Sequence, residues 1–411
     1  MKSWPRPDIP ELDGTAPVPR VFDTATQTLI DAAPTDVARL YVCGITPYDA
    51  THMGHAATYL AFDTLQRIWI DAGFRVHYAQ NVTDIDDPLL ERAAQTETSW
   101  RQLADEQIEL FRRDMASLNI LPPEDYVAVT EMIDQIAEAV CALLDRGLAY
   151  RVPTADAQGE DVYFDNAAAA AAAPWRLGEE SNLDRARMLE LFAERGGDPE
   201  RTGKRDALDP LLWRSARDGE PSWPSRVGPG RPGWHIECSV IALTHLGTDL
   251  TVQGGGADLV FPHHDMSAGH AAALSGHPLA RLYSHAGMVA YQGEKMSKSL
   301  GNLVLVSRLR EAGTDSRAIR LALLAHHYRS DWEWTDDALT QADARLRSWS
   351  AVTTGALSSP DIIRAMRAAL ADDLDTPTAL SIVDNAVTVG VSDRAMLFDA
   401  VDALLGVPLD E

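Results

Sequence analysis

Only four lysines, Lys2, Lys204, Lys295 and Lys298, stand among the 36 basic residues of this 411-residue chain, and two of them share one short loop. That loop reads Gly293-Glu294-Lys295-Met296-Ser297-Lys298-Ser299-Leu300-Gly301-Asn302. Elsewhere the chain meets its need for positive charge with arginine, so this loop calls for a compact, flexible ammonium rather than a planar fork. Two such charges among hydroxyls (Ser297 included) and small residues suit the crowded oxygens of a polyphosphate. A plain solvated loop is the competing reading. A second group is Thr51-His52-Met53-Gly54-His55. At the start of a helix, unpaired N–H groups and the positive dipole end face any anion, and histidines three apart share a face. Gly54 leaves room for a flat ring, so the pattern suits a nucleotide; histidines that cap the helix or bind a metal are the alternative.

The third group is dispersed. Cys43 ends an apolar run, Cys238 closes Gly233-Trp234-His235-Ile236-Glu237-Cys238, and His263 lies in Pro262-His263-His264-Asp265. Two thiolates and an imidazole make a zinc site with one position left open, as catalytic zinc has. The spacing matches no zinc finger, and buried apolar cysteines would explain the same residues equally well. Cys141 lies in an apolar helical stretch and reads as core. Between Cys238 and His263, Gly254-Gly255-Gly256-Ala257-Asp258 would let a ligand meet the backbone closely.

These groups need elements to hold them. Residues 38–42 read as a buried strand, 51–72 as a helix with Thr51 at its N-cap, and 75–80 as a second strand running into Asn81-Val82-Thr83. This is a strand–helix–strand unit of the doubly wound type, in which ligands bind outside the carboxyl ends of the strands, where Cys43 stands. Helices are predicted over 88–118 and 124–148, a hairpin over 149–165, and a helix over 183–195 stopped by Gly196-Gly197. Strands resume at 250–253 and 282–284, and the chain beyond the lysine loop is expected to be helical.

Hydrophobic content of 45% and charged content of 24% describe an ordinary globular composition. No apolar run would span a bilayer, the first seven residues lack the apolar stretch of a secretory leader, and three scattered cysteines suit a reducing compartment. A cytoplasmic location is the expectation. The net charge is −25, and residues 361–411 carry ten acidic residues against three arginines, which is no nucleic-acid arm.

Taken together, the motifs resemble the class I aminoacyl-tRNA synthetases, and within them cysteinyl-tRNA synthetase, from about residue 20 to about 380. The carriers are Tyr41-Val42-Cys43-Gly44-Ile45-Thr46-Pro47-Tyr48-Asp49, residues 51–55 in place of the family's HIGH element, 81–87, 228–238, 261–264, and Lys295-Met296-Ser297-Lys298-Ser299 as a verbatim KMSKS. The resemblance implies an α/β chain: a Rossmann-like class I catalytic domain with an inserted connective domain and a C-terminal helical bundle. In this division 1–37 is an irregular or hairpin segment, and 38–115 and 206–290 are the catalytic halves. The insertion is 116–205, the KMSKS loop with a stem-contact-like segment is 291–330, and the bundle is 331–411. The implied chemistry is ATP-driven activation of cysteine, with Mg2+ accompanying ATP and one zinc ion per subunit on Cys43, Cys238 and His263 holding the substrate thiolate. His52, His55, Lys295 and Lys298 take the catalytic places. Adenylate contacts are implied for Cys43, Gly44, Ile45, Thr46, Gly54, Thr58, Asn81, Val82, Thr83, Trp234, Gly256, Ala257, Asp258 and Val289, with Lys295, Ser297 and Lys298 at the phosphates.

The chain also departs from the synthetases. It ends soon after the bundle begins, without a basic extension. Ser267 stands where they commonly carry a glutamate, and Ile45 and Pro47 alter their Cys-Gly-Pro-Thr. Glu194-Arg195-Gly196-Gly197-Asp198-Pro199 is similar to an element of a paralogous family, the mycothiol-pathway cysteine ligases, which join cysteine to the amine of glucosaminyl-inositol. The expectation is therefore a monomer acting on L-cysteine, ATP and glucosaminyl-inositol, with neither tRNA nor membrane as partner. A cysteinyl-tRNA synthetase with a shortened tail and a non-catalytic zinc- or nucleotide-binding paralogue are the alternatives.

Overall fold

The computed structural model describes residues 1–296 and 301–409; Ser297 and Lys298 lie outside the described residues, and for Lys295 only the backbone is described. The chain's short, nearly continuous apolar segments form a central parallel sheet of five strands. Its order is Tyr283–Ala286, Val252–Gly256, Val37–Val42, Arg75–Val82 and Asp125–Ala128. Strands covered on both faces need apolar side chains throughout, and Leu40, Tyr41 and Val42 are fully buried accordingly. From Val37–Val42 the chain steps one way, through the helix Met53–Asp71, to Arg75–Val82; the second half of the sheet begins on the other side, at Val252–Gly256. The carboxyl ends of Val37–Val42 and Val252–Gly256 therefore flank the point where strand order reverses, the position that binds ligands in such sheets.

Several elements differ from expectation. The cap of Met53–Asp71 is His52, not Thr51. The stretch 88–118 is two helices, Asp87–Gln95 and Trp100–Ser117, separated where Glu97 takes a φ of 52°. Residues at the head of the expected 124–148 helix form the edge strand Asp125–Ala128 instead, paired with 79–82, because sheet pairing and burial of Tyr126 override helical periodicity. The helix itself is Ile133–Asp145. Beyond the lysine loop, Trp332–Trp334 is a strand paired with Val289–Tyr291, which also pairs with Glu294–Lys295.

The insertion is built on an antiparallel sheet of Ala149–Pro153, Glu160–Phe164, Leu211–Ser215 and Gly230–Pro232. Its pairing carries it past residue 205 to Pro232, while Asp125–Ala128, within 116–205, belongs to the central sheet. Apolar periodicity does not mark this boundary because the strands concerned are three to five residues long and rich in Pro, Gly and Trp.

The C-terminal helices Ser359–Ala371 and Arg394–Leu405 pack on Met53–Asp71, and Thr376–Val389 packs on Ser359–Ala371, so the helix that begins at His52 is covered on both sides. Its buried polar residues meet there. Asp63 accepts from Arg67 at 2.8 Å and from Arg320, all three being at most 1% exposed. The guanidiniums also bond carbonyls of Leu118, Asn119, Asp402 and Leu405. Burial pushes the Asp63 carboxyl up, but the two arginines outweigh it and hold the group below its ordinary value. Among the described residues no helix is long and apolar enough to cross a membrane.

Candidate active site

A cleft of about 540 Å³ opens at the reversal point of the sheet, a volume in the range of small-molecule sites. Its walls carry Cys43, Gly44, Ile45, Thr46, His52, Gly54, His55, Thr58, Asn81, Trp234, Gly256, Asp258, His263 and Val289, gathered from five stretches of sequence. Three of the implied adenylate contacts are not on the wall. Val82 is fully buried in the core, Thr83 is buried behind Asn81 and accepts its Nδ2 at 3.1 Å, and Ala257 is passed over between Gly256 and Asp258. Tyr48, Asp49 and Met296, which stand within the quoted motifs, also line the cleft, as do Tyr59, Met288 and Leu303, for which sequence spacing gave no signal.

On one side, the backbone of His52 is extended, and its Nδ1 accepts from the amides of Gly54 at 3.1 Å and His55 at 3.4 Å. An accepting Nδ1 leaves the ring proton on Nε2, so that atom is a donor. The His55 ring stacks on His52 at 3.8 Å. Gly54 is required by this packing: a Cβ there would come within 3.0 Å of the His52 ring. Gly44 is required more strictly, since its Cβ would sit 1.6 Å from the Asn81 carbonyl oxygen, and its amide donates to Asn81 Oδ1 at 2.8 Å. The segment after the lysine loop lies beside this helix start: Met53 N donates to the Val304 carbonyl and Val306 N to that of Thr51, both at 3.0 Å.

On the other side, Cys43, Cys238 and His263 place their ligand atoms within 4.8 Å of one another, all buried. Cys43 Sγ lies 3.9 Å from Cys238 Sγ, and His263 Nε2 3.2 Å from Cys238 Sγ. Burial raises the Cys43 thiol, whereas contact with Cys43 and His263 outweighs burial at Cys238 and carries that thiol well below its usual range. Two thiols and an imidazole with their ligand atoms this close are soft donors, and the donor set fits zinc. Ser267 adds no ligand, because its Oγ donates to the His235 carbonyl at 3.1 Å. The Trp234 ring stacks on His263 with centroids 4.3 Å apart.

Outer partners orient these groups. His263 Nδ1 faces His235 Nδ1 at 3.0 Å. Behind Cys43, His264 Nε2 lies 3.3 Å from the sulfur, His264 Nδ1 lies 2.7 Å from His285 Nε2, and His285 Nδ1 lies 2.7 Å from Thr24 Oγ1. Burial keeps these imidazoles neutral, His264 falling well below its ordinary value and His285 to about 3. These contacts form one hydrogen-bonded line from Thr24 through His285 and His264 to Cys43, and Gln253 Nε2 also donates to the Cys43 sulfur at 3.4 Å. His235 and His264 adjoin expected ligands in sequence and could have been read as their partners; nothing in the sequence marks His285.

The model of the tRNA synthetases class I (C) catalytic domain matches residues 30–344. A relative from Clavibacter michiganensis subsp. michiganensis, an L-cysteine:1D-myo-inositol 2-amino-2-deoxy-alpha-D-glucopyranoside ligase, is 61% identical over 100% of this chain and 99% of its own length. One of the same name from Paenarthrobacter aurescens is 56% identical, with both chains covered in full. Among solved structures, Mycobacterium tuberculosis methionyl-tRNA synthetase in complex with methionyl-adenylate is similar at a TM-score of 0.60 and 17% identity, over 90% of each chain, a likeness of fold. A class I catalytic core matched over three quarters of the chain, with full-length identity above one half, leaves one assignment: the chain belongs to the family of L-cysteine:1D-myo-inositol 2-amino-2-deoxy-alpha-D-glucopyranoside ligases, built on the class I (C) synthetase catalytic domain.

Proposed function

We propose that this protein activates L-cysteine with ATP as cysteinyl-adenylate and transfers the cysteinyl group to the amine of glucosaminyl-inositol, releasing pyrophosphate and AMP. The observation that carries the reading is that one cleft places a histidine-capped helix N-terminus opposite a Cys–Cys–His cluster. The acceptor is inferred from the full-length relatives.

ATP lies along His52, Gly54 and His55, where Mg2+ would offset the charge of its phosphates, and Lys295, Ser297 and Lys298 are the residues the family resemblance assigns to those phosphates. In the first step a cysteine carboxylate oxygen bonds to the α-phosphorus and the bond to pyrophosphate breaks. His52 Nε2–H and the positive end of the helix dipole stabilise negative charge as it develops on the phosphates. Asn81 and Tyr59 fix the strand end: the first takes the Gly44 amide, and the second donates its hydroxyl to the Cys43 carbonyl at 3.2 Å. A zinc ion held by Cys43, Cys238 and His263 would supply a bond that only a thiolate fills well, which a pocket of fixed size cannot do against the similarly small serine or alanine. In the second step the acceptor amine bonds to the activated carbonyl, the carbonyl–phosphate bond breaks, and AMP leaves. The acidic surface favours a small acceptor over tRNA, and we take the enzyme to be a cytoplasmic monomer.

The test is AMP release from cysteine and ATP with either glucosaminyl-inositol or tRNA as acceptor. Turnover with the amino sugar alone is expected; turnover with tRNA alone would move the chain to the synthetase reading.

A further inference from the structure

The segment Glu194–Pro199, which set this chain apart from the synthetases, is not on the cleft wall, yet it touches the element that builds the wall. The helix Arg185–Glu194 ends at Arg195, after which Gly196 takes a φ of 85°. Gly197 then passes so close to Phe192 that a Cβ would sit 2.5 Å from its ring. The two glycines turn the chain back and leave the Arg195 side chain pointing across the helix end. Asp198 anchors the turn by accepting from the Tyr163 hydroxyl and, at 3.0 Å, from the Lys204 ammonium.

Arg195 Nη1 donates to two carbonyl oxygens of one loop, that of Asp258 and, at 2.5 Å, that of Phe261. This loop runs from Asp258 on the cleft wall to His263 of the Cys–Cys–His cluster. The contact is part of a packed interface, because Met188, Leu191 and Phe192 of the insertion share an apolar cluster with Phe261 and Met266. A second tie lies just beyond: the Asp265 carboxylate accepts from the amides of Gly178 at 3.0 Å and Ser181 at 3.2 Å. The insertion thus grips the 258–265 stretch at both ends, and at the end nearer the cleft the Arg195 guanidinium adds its two hydrogen bonds to the apolar packing of Phe261.

We propose that Arg195 is a positioning residue for cysteine activation: by stapling the Asp258 and Phe261 carbonyls it fixes the spacing between the nucleotide wall at Asp258 and the metal ligand His263. One planar, charged donor bridging two carbonyls three residues apart sets a distance as well as a contact. Releasing it lets the loop shift without unfolding the insertion, whose Asp198, Lys204 and Asp265 ties stay in place.

The inference rests on the proposed function only as far as cysteine activation. Its test uses cysteine-dependent pyrophosphate exchange, which needs no acceptor, together with retention of zinc against a chelator, which needs no turnover. Arg195→Ala is expected to raise KM for ATP roughly tenfold, the equivalent of one lost charge-assisted hydrogen bond, and to release zinc faster. Methylguanidine added to this variant is expected to restore part of both. If the alanine variant does not fold, Arg195→Lys is read by the same two measurements and is expected to fall between it and wild type. Wild-type KM and zinc retention in whichever variant folds would overturn the staple, and so would a defect that methylguanidine leaves untouched. Failure of the acceptor assignment would appear separately, as exchange without acceptor-dependent turnover in the wild type.

Discussion

His52 does two jobs with two nitrogens. Nδ1 caps the helix Met53–Asp71, and Nε2 is thereby committed to donating toward the cleft. Asparagine caps helices as well as any residue but lacks a donor at the Nε2 position. His52→Asn is therefore expected to keep the thermal midpoint within a few degrees while lowering cysteine-dependent pyrophosphate exchange by about 10²–10³, the usual effect of losing one preorganised donor. Undiminished exchange would reduce His52 to a cap. Cys238 offers a complementary case. It is buried, and its thiol meets Cys43, His263 and the Tyr41 hydroxyl. Cys238→Ala is expected to lose bound zinc, measured by elemental analysis, and with it the preference for cysteine over serine in exchange. A metal-free wild type of full activity would remove the basis for both. His52 could be read from the sequence because a histidine before a helix is a local signal, whereas Cys43, Cys238 and His263 are dispersed and read equally well as core until the fold brings them together. Thr24 and His285 could not, since what joins them to Cys43 is a hydrogen-bonded line through three distant segments.

The loops and helices of the insertion set the cleft at a distance, and one of them carries a titration that the fold must bear. Burial, then the charge of Asp265, pushes the Glu180 carboxyl up to about 8. A carboxyl raised in the folded state holds its proton there while the unfolded chain has released it, so stability falls as pH rises from about 4.5 to about 8 and levels off above. Glu180→Gln removes the proton linkage. Its thermal midpoint is expected to exceed wild type at pH 8, by on the order of 3 kcal/mol in stability after allowance for partial exposure, and to converge with wild type near pH 4.5. A constant difference across that window would place the effect in packing instead. The same scale shows where sequence reading stops. The helices Met53–Asp71 and Arg185–Glu194 were legible from their periodicity and from the Gly196 stop, although the cap of the first falls at His52, one residue after the expected Thr51. Asp125–Ala128 was not, because four residues hold too little periodicity and only its neighbour Arg75–Val82 makes it a strand.

For the whole molecule, the C-terminal helices decide between two kinds of protein. An appended nucleic-acid-binding module would meet the catalytic core through a polar, separable surface. Here the junction is buried charge. Arg67 and Arg320, on two different helices, share Asp63 and spend their remaining donors on carbonyls that include those of Asp402 and Leu405. Leu397, Val401 and Leu404 of the last helix join the same apolar cluster as Leu65, Ile68 and Trp69 of the helix that begins at the cleft. Removing Arg394–Leu405 would strip those acceptors and expose both guanidiniums' neighbours. Leaving buried guanidinium donors without their carbonyl acceptors costs about 1–3 kcal/mol for each before the lost apolar contacts are counted, a large share of a typical domain's stability. A chain ending at residue 393 is therefore expected to lose soluble expression, or to unfold well below wild type and show no pyrophosphate exchange. Arg320→Met, which keeps the volume but leaves Asp63 half-paired, is expected to lower the midpoint while the cleft residues stay intact. A truncated chain that still exchanged pyrophosphate at the wild-type rate would mean that the bundle is an appendage after all. The acidic tail would then need a role of its own, whereas the ion network makes it the back wall of the helix that presents His52.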